Sequence, residues 1–419
     1  MFTWLHVFQI HKTGSTTFHN ILSRFALSRN LKMALYKSMY GKPFRDIAKP
    51  DLLFEIIEKY ENNTQNSSEF VPYNIMCDHT RFDERFPFEY MAQPVVSLSM
   101  IRHPFTHLQS AFRYFGIENT YEISGDFPLY EFLRRVNATG FDRMRRPRAH
   151  VPVWVRNAQM YTFGYPHWNE NDEDLAKLYV KYIDCKFDVV FPLERFYEAL
   201  ILLRRRFHWK IRDILHFHNN KHSVSKDFLP KNDSEKMNFA RRVDERLNRA
   251  DYILYNHFAA KFQELVSREG DDFQSEVRYF RSLNANVTKM CKRNFFAFRN
   301  PLNFSAEANS SISMSRVLEQ LQQVAVRVEA TDWHESLSLT HVDCRLMMLD
   351  TLEFQNAFRV RQFAKACDPE SPVGPRLRPV KYMHHVLGPK WCANDTRPIY
   401  NFPLNKFMAV RENFTNWSE

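Results

Sequence analysis

Residues 4–17 read Trp-Leu-His-Val-Phe-Gln-Ile-His-Lys-Thr-Gly-Ser-Thr-Thr, and this stretch decides the fold. Its first half, residues 4–10, is a short and mostly apolar run that is typical of a strand. Its second half, residues 11–17, is polar and contains a glycine, as turns do. Beyond it, apolar residues recur at helical spacing at Phe18, Ile21, Leu22 and Phe25. The stretch therefore predicts a strand, a loop and a helix in succession.

The loop at residues 11–17 has the residue types that bind an anion. A loop between a strand and a helix directs backbone N–H groups and the positive end of the helix dipole at one point, and Lys12 adds a compact positive charge. Further donors are the hydroxyl groups around Gly14, namely those of Thr13, Ser15, Thr16 and Thr17. The Gly-x-x-x-x-Gly-Lys spacing of a Walker A loop is absent. Taken alone, these residues are also compatible with helix capping and nothing more.

A second unit of the same kind follows at residues 95–115. Residues 95–101 are almost continuously apolar, which is typical of a strand covered on both faces. Arg102 comes at the end of this strand, and Pro104 suits the first turn of the next helix. An arginine at a strand end can clamp a phosphate, and Ser110 is close enough along the helix to reach the same anion. In isolation, a strand-end arginine is more often part of a surface ion pair.

Two shorter apolar runs complete the predicted sheet. Residues 73–77 end just before His79, and residues 187–191 precede a helical run at 197–203. Strands that alternate with helices predict an α/β fold with a parallel sheet, flanked by helices, that binds ligands at the carboxyl ends of its strands. We expect one large domain over residues 1–292 and a less regular C-terminal region over residues 293–419, partly packed on the core.

The composition limits the class of protein. With 44% hydrophobic and 15% aromatic residues, the chain is typical of a packed globular protein. Its formal net charge of +10 favours anionic ligands, without distinguishing nucleic acid, phosphate cofactor, acidic glycan and membrane surface. No nucleic-acid-binding module is recognisable, so no nucleic-acid partner is expected. No apolar run of about 18 residues occurs, and Met1 does not begin a signal peptide.

The glycosylation sequons indicate a different compartment from the cytosol. The chain has ten Asn-x-Ser/Thr sequons, where chance gives about three. They begin at Asn62, Asn66, Asn137, Asn232, Asn286, Asn303, Asn309, Asn394, Asn413 and Asn416. The six cysteines are compatible with disulfides in the secretory lumen, and fifteen full pairings are open. A lumenal protein needs a delivery signal, and we expect one upstream of Met1.

Three stretches together resemble the sulfotransferases that use 3′-phosphoadenosine 5′-phosphosulfate (PAPS). They are residues 11–17, the run Cys77-Asp78-His79-Thr80-Arg81-Phe82, and residues 101–104 with their continuation to 110–115. The resemblance is closest to the galactose-3-O-sulfotransferase family, which includes the cerebroside sulfotransferases, and it covers about residues 7–292. It implies the sulfotransferase fold, in which a P-loop-like turn holds the donor.

The resemblance also implies roles for individual residues. Lys12 and the following run Thr13-Gly14-Ser15-Thr16-Thr17 would hold the 5′-phosphosulfate, while Arg102 and Ser110 would hold the 3′-phosphate. His79 matches the family's His-x-Arg-Phe motif and would be the general base, a task that suits histidine because its pKa lies nearest working pH. Lys12 would also stabilise the leaving group. PAPS is the expected co-substrate, and no metal is expected.

The implied acceptor is a hydroxyl of galactose, expected at C3, in a glycolipid or glycoprotein glycan. Two alternatives stay open: another glycan such as a glycosaminoglycan, and a catalytically inactive relative that binds a nucleotide or glycan. Since the family is typically of type II Golgi membrane proteins, we expect a lumenal catalytic domain and an N-terminal anchor that is absent from this sequence. One departure is that Arg102-His103-Pro104 stands where the family commonly has Arg-Asp-Pro. If that Asp braces the arginine, donor affinity is lower here.

Overall fold

The computed structural model describes residues 4–34, 72–84, 87–88, 90–144, 152–167, 171–217, 227–299, 322–351, 353–355 and 358. The strands of its main sheet are β1 (Trp4–Phe8), β2 (Met33–Ala34), β3 (Ile75–Asp78), β4 (Val95–Ile101) and β5 (Val189–Pro192). They lie in the order β2-β3-β1-β4-β5, and every neighbouring pair is parallel. The predicted α/β class with a parallel sheet is confirmed.

The strand boundaries follow the sequence patterns with small shifts. The strand predicted over residues 95–101 has those bounds in the structure. The one predicted over 4–10 ends at Phe8, because the backbone carbonyls of Gln9 and Ile10 accept hydrogen bonds from side chains instead of from a neighbouring strand. The strand predicted over 73–77 lies at Ile75–Asp78, and Tyr73 makes only an isolated bridge with Met91.

Helices cover both faces of the sheet. They are α1 (Ser15–Ser28), α2 (Pro104–Tyr114), α3 (Ile117–Thr120), α4 (Pro128–Thr139), α5 (Pro152–Val155), α6 (Ala158–Thr162), α7 (Glu173–Lys186), α8 (Phe196–Phe207), α9 (Ile211–Ile214), α10 (Ser234–Leu247), α11 (Arg249–Ser267), α12 (Phe273–Arg299) and α13 (His341–Met348). Because side chains alternate along a strand, Val7 packs with α1, α8 and α12, whereas Phe8 packs with α6, α7 and α11. A third cluster joins α2, α4 and α10 beside the sheet.

The described C-terminal residues pack on this core. Strands β6 (Val324–Val328) and β7 (Leu337–Thr340) form an antiparallel pair, and α13 follows directly. A disulfide joins Cys291 on α12 to Cys344 on α13. On the same side, the Asn20 carboxamide of α1 donates to the carbonyls of Leu346 (3.0 Å) and Leu349 (2.9 Å). The division into residues 1–292 and 293–419 stays a prediction, because residues 300–321 and 359–419 lie outside the described part.

The exposure of the sequon asparagines bears on the predicted lumenal location. Of the ten sequon asparagines, Asn137, Asn232 and Asn286 lie on described residues, and all three are exposed. Within the described ranges, no helix is both long and apolar enough to cross a membrane.

Candidate active site

The loops that follow β1, β3 and β4 meet at the carboxyl edge of the sheet. Strand β1 lies between β3 and β4, so all three parallel strands end side by side. From β1 the chain leads towards β2 and β3, and from β4 it leads the other way to β5, which makes the gap between β1 and β4 a topological switch point. The structure thereby brings Lys12, His79 and Arg102 together, as the sequence predicted.

The Lys12 loop is held in the left-handed backbone region at two positions. The φ angle is 65° at Lys12 and 86° at Gly14. A Cβ atom on Gly14 would lie 2.6 Å from Cδ1 of Leu193, the end of a flexible side chain, so glycine is favoured mainly by the backbone conformation. Inside the loop, the buried Thr13 hydroxyl donates to the carbonyl of Ile10 at 2.9 Å. That hydroxyl therefore shapes the loop from within.

Helix α1 begins at the end of this loop with its positive end exposed to the site. The Gly14 carbonyl accepts the first helical hydrogen bonds, from the amides of Thr17 (3.1 Å) and Phe18 (3.3 Å). Among the described residues no side chain caps α1, and its first turn contains no acidic residue. Within the described part of the chain, the partial positive charge of this helix end is thus left without a capping or acidic side chain in the first turn, which suits an anion site. Of the neighbouring hydroxyl residues, Thr17 is buried and Thr16 is half-buried.

Lys12 and Arg102 are direct neighbours. Arg102 Nη1 donates to the backbone carbonyl of Lys12 at 3.0 Å, and the Lys12 ammonium lies 3.8 Å from the centroid of the Tyr114 ring. Burial and, second, the nearby Arg102 charge lower the pKa of Lys12 from 10.5 to about 8. A group with that pKa is still mostly protonated at pH 7. The site therefore holds two adjacent cations, which an anionic ligand would stabilise.

Arg102 is fixed by its backbone and its side chain. Its Nε donates to the Thr106 hydroxyl at 3.0 Å. Its backbone N–H donates to Gln159 Oε1 at 2.8 Å, and its carbonyl accepts from Gln159 Nε2 at 2.7 Å. Burial lowers the pKa of Arg102, and the Glu194 carboxylate acts in the opposite direction. An arginine remains charged under such shifts.

Ser110 lies one helical turn beyond Thr106 on α2. Residues four apart lie on the same face of a helix, so Ser110 shares the face of α2 whose Thr106 contacts Arg102. Its side chain is half-buried. Ser110 therefore lies on the same face of α2 as Thr106, and its role in donor binding stays a prediction.

His79 has the hydrogen bonds of a neutral base. Its Nδ1 lies 3.1 Å from the Gln9 carbonyl, and its Nε2 lies 3.3 Å from the Ser15 hydroxyl. Because a carbonyl only accepts, the network assigns the proton to Nδ1 and leaves Nε2 as the acceptor. Burial lowers the pKa of His79 to about 4; the bond to Gln9 opposes this shift, and the Lys12 charge adds to it. The imidazole is therefore unprotonated near neutral pH.

An aromatic wall stands behind this base. The His11 ring stacks on the His79 ring with centroids 3.7 Å apart and an interplanar angle of 9°. Trp154 meets His11 edge-on, and Phe115 stacks on Trp154 at 4.4 Å. His107 Nε2 lies 2.8 Å from the His11 carbonyl, which ties α2 to the Lys12 loop. These rings fix the plane of the His79 ring. Their position behind His79 was not predicted from the sequence.

At His103, where the family commonly has an Asp, a carboxylate from a distant part of the chain contacts the turn. The His103 backbone N–H donates to Glu194 Oε1 at 3.0 Å, and Glu194 lies in the turn after β5. The His103 ring packs edge-on against Tyr252 and Tyr255. Tyr255 also donates to Glu194, at 3.3 Å. An acidic side chain thus contacts this turn even though its sequence has no Asp.

Two residues that contact this turn, Gln159 and Glu194, were missed by the sequence analysis. Both come from distant segments and belong to no recognisable motif. His11 and His107, in contrast, flank the predicted loops, and their position beside Lys12 and Arg102 was a usable signal.

Comparison with known proteins identifies the family of the chain. Residues 3–310 match a family model described as galactose-3-O-sulfotransferase. This chain belongs to the galactose-3-O-sulfotransferase family. The resemblance seen in the sequence motifs is confirmed, and with it the sulfotransferase fold.

Several curated members of the galactose-3-O-sulfotransferase family are similar to the chain. The galactosylceramide sulfotransferase of Mus musculus is 27% identical over 292 residues, which are 67% of this chain and 62% of that protein. Galactose-3-O-sulfotransferase 2 of Homo sapiens is 28% identical over 306 residues, 69% of this chain and 68% of that protein. Galactose-3-O-sulfotransferase 3 of Homo sapiens is 28% identical over 297 residues, 67% and 61% of the two chains. The chain thus spans about three fifths to two thirds of the length of these relatives.

Metal-ligating side chains do not cluster in the part of the chain that the structure describes. No group of three or more His, Cys, Asp or Glu residues there has a geometry that could hold a metal ion. The groups that face the anion site are instead cations, hydroxyls and a helix end.

Proposed function

We propose that the chain transfers a sulfuryl group from PAPS to a hydroxyl of galactose, at C3, in a glycolipid or glycoprotein glycan. The observation that carries the proposal is the convergence of Lys12, Arg102 and the neutral His79 at one switch point, in a member of this family. The names of the relatives, galactosylceramide sulfotransferase and galactose-3-O-sulfotransferase, support galactose as the acceptor.

The donor would lie across the two cationic loops. The Lys12 loop and the uncapped start of α1 would hold the 5′-phosphosulfate, since a helix N-terminus and a lysine together stabilise a terminal anion. Arg102 and Ser110 would hold the 3′-phosphate, where the planar guanidinium provides a fixed fork of donors. The hydroxyls of Ser15, Thr16 and Thr17 would supply further donors around the first group.

Transfer would proceed as an in-line displacement at sulfur. The acceptor oxygen forms a bond to sulfur while the bond from sulfur to the bridging oxygen breaks, and the acceptor proton passes to Nε2 of His79. Lys12 then neutralises the charge that develops on the departing phosphate oxygen. His79 suits this task because its Nδ1–H is held by the Gln9 carbonyl, so that the accepting lone pair is on Nε2. The Ser15 hydroxyl would be displaced from Nε2 by the acceptor hydroxyl.

The test separates donor binding from transfer. The purified protein is incubated with radiolabelled PAPS and galactose-terminated acceptors, and binding of 3′-phosphoadenosine 5′-phosphate, the nucleotide product, is measured in parallel. We expect His79→Gln to lower transfer by about 10²–10⁴-fold with little change in nucleotide affinity. Lys12→Ala is expected to lower both.

A matched control is His208→Asn. His208 is exposed at the C-terminal end of α8, away from the carboxyl edge, and asparagine tolerates its left-handed backbone. It should leave transfer unchanged. The proposal fails if folded protein binds the nucleotide and transfers sulfate to no galactose acceptor.

We also propose a Golgi-lumenal location with an anchor upstream of this sequence. The exposed sequons at Asn137, Asn232 and Asn286 and the Cys291–Cys344 disulfide support an oxidising, glycosylating compartment. Digestion with an N-glycosidase after expression in secretory cells tests the first part. Membrane fractionation of the complete gene product tests the second, and recovery in the cytosolic fraction would contradict both.

A further inference from the structure

The carboxamide of Gln159 makes two hydrogen bonds with the backbone of Arg102. Arg102 N–H donates to Gln159 Oε1 at 2.8 Å, and Gln159 Nε2 donates to the Arg102 carbonyl at 2.7 Å. The Gln159 side chain is fully buried. One side chain thus makes with Arg102 the same pair of hydrogen bonds that a neighbouring strand makes with a residue in a sheet.

This contact lies where the sheet stops supporting β4. The pairing of β4 with β1 ends at Ser99, and its pairing with β5 ends at Ile101 opposite Pro192. Arg102 is the next residue, so the ladder no longer determines its backbone position. Because a buried backbone N–H or C=O without a partner costs roughly 1–3 kcal/mol, Gln159 stabilises a turn that the sheet leaves unsupported.

Gln159 is itself held by a reciprocal arrangement between α6 and α11. The buried Asp251 carboxylate of α11 accepts from the amides of Gln159 (3.2 Å) and Met160 (2.8 Å) in the first turn of α6. In return, Asn157 Oδ1 accepts from the amides of Ala250 (3.1 Å) and Asp251 (3.3 Å) in the first turn of α11. A helix as short as α6 depends on such tertiary support. Each helix therefore caps the other, and Gln159 is anchored to a rigid pair.

The contact connects this rigid pair to the donor loops. The Arg102 guanidinium donates to the Lys12 carbonyl, so the position of the Arg102 backbone determines where both cations lie. Catalytic and binding groups need to be held to within about 0.5 Å, and the residues behind them usually achieve this. The carboxamide of Gln159 is the element that transmits the rigidity of α6 and α11 to the site.

We propose that Gln159 is a positioning residue of the donor site, acting through Arg102 to set the geometry in which the 3′-phosphate and 5′-phosphosulfate are bound. The inference rests on the proposed function for the identity of the ligand. It does not make Gln159 a catalytic residue, because its buried carboxamide bonds the backbone of Arg102 and acts on the donor through that residue.

The first test compares two buried amides. Gln159→Leu keeps the approximate volume and removes both hydrogen bonds. The control is Asn284→Leu on α12, where Asn284 Oδ1 accepts from the amide of His216 at 2.8 Å, in the core on the other side of the sheet. Both variants should unfold at lower denaturant concentration. We expect only Gln159→Leu to weaken binding of 3′-phosphoadenosine 5′-phosphate, by about tenfold or more. An equal, less than twofold change in both variants overturns the proposal.

The second test asks whether Gln159 acts through Arg102. In an Arg102→Ala background, Gln159→Leu should change nucleotide affinity by less than about twofold, because coupled residues are not additive. Full additivity of the two effects would overturn the proposed route.

A third readout does not need a ligand. In the nucleotide-free protein, the Arg102 amide should exchange its hydrogen faster in Gln159→Leu than in wild type or Asn284→Leu. An unchanged exchange rate of the Arg102 amide would refute the claim that Gln159 fixes the Arg102 backbone, whatever the ligand is. Wild-type protein that binds no nucleotide would instead refute the proposed function, and the exchange data would still decide whether Gln159 fixes the turn.

Discussion

Removing the Cys291–Cys344 disulfide is expected to destabilise the fold by an amount that follows from the length of the loop it closes. The two cysteines are 53 residues apart. In the chain-entropy treatment, closing a loop of that length lowers the conformational entropy of the unfolded chain by about 14 cal/mol/K. This raises the free energy of the unfolded state by about 4 kcal/mol at 25 °C. Both side chains are fully buried, so alanines at these sites also lose some packing. We therefore expect Cys291→Ala/Cys344→Ala to lose about 4 kcal/mol or more of unfolding free energy.

The assay is equilibrium unfolding in urea without reductant, followed by far-UV circular dichroism and by tryptophan fluorescence. Cys185→Ala serves as the control, because Cys185 is an exposed free thiol, and it should change the unfolding free energy by less than about 0.5 kcal/mol. A loss below about 1 kcal/mol in the double variant, with an unchanged dependence on urea, would refute the loop-closure reasoning.

The same experiment reports on the C-terminal segment. Asn20 on α1 holds the carbonyls of Leu346 and Leu349, so the segment that carries Cys344 also contacts the helix behind the Lys12 loop. If this segment unfolds together with the sheet, the two probes give one coincident transition in wild-type protein. Two separated transitions would show instead that it behaves as an independent unit, in line with the predicted division near residue 292.

Two further predictions concern the loop and the buried histidines. Gly14→Ala should lower the unfolding free energy by about 1–2 kcal/mol because of the left-handed backbone alone, and it should weaken nucleotide binding. Adding Leu193→Ala to this variant should relieve only the contact with Cδ1. Full recovery of stability in the double variant would contradict the backbone argument. Burial lowers the pKa values of His6, His19 and His107 from 6.5 to about 4, 3 and 4, so below pH 6.5 the unfolded chain binds protons that the folded protein does not. Burial raises the pKa values of Asp244 and Asp251 from 3.8 to about 7, so these two carboxyls act in the opposite direction over the same pH range. Together with His79, the histidines outnumber them, and each histidine contributes a slope of up to about 1.4 kcal/mol per pH unit. Stability should therefore fall on balance between pH 6.5 and 4.5; urea unfolding at pH 6.5, 5.5 and 4.5 measures it, and equal stability at all three would contradict the assignment.

The elements around the site were predictable because they are local patterns. Residues 4–17 comprise an apolar run and a turn with a glycine, and apolar residues at helical spacing follow directly. The strand at 95–101 is apolar on both faces. Such signals depend only on neighbours in sequence. The position of His79 at a strand end followed in the same way, and the parallel topology then required the three loops to meet at one edge.

The contacts that support the site were not predictable, because they join segments far apart. Nothing near Gln159 indicates that its amide binds Arg102, which is 57 residues away, and Glu194 reaches His103 across 91 residues. The disulfide was one of fifteen open pairings, and only the packing of α12 against α13 selects Cys291 and Cys344. Long-range complementarity of this kind has no periodicity in the sequence.

The central position of β1 has a consequence for how the chain is made. Its sheet partners β3 and β4 come later in the sequence, and β4 starts about 90 residues after β1 ends, so at typical synthesis rates of roughly 5–20 residues per second β1 waits on the order of 5–20 s for that neighbour. During that interval this apolar strand has been synthesised, but neither of its edges can yet pair with its neighbours in the sheet. The same placement that sets Lys12 in the middle of the sheet therefore leaves this segment without its sheet partners during the early part of synthesis.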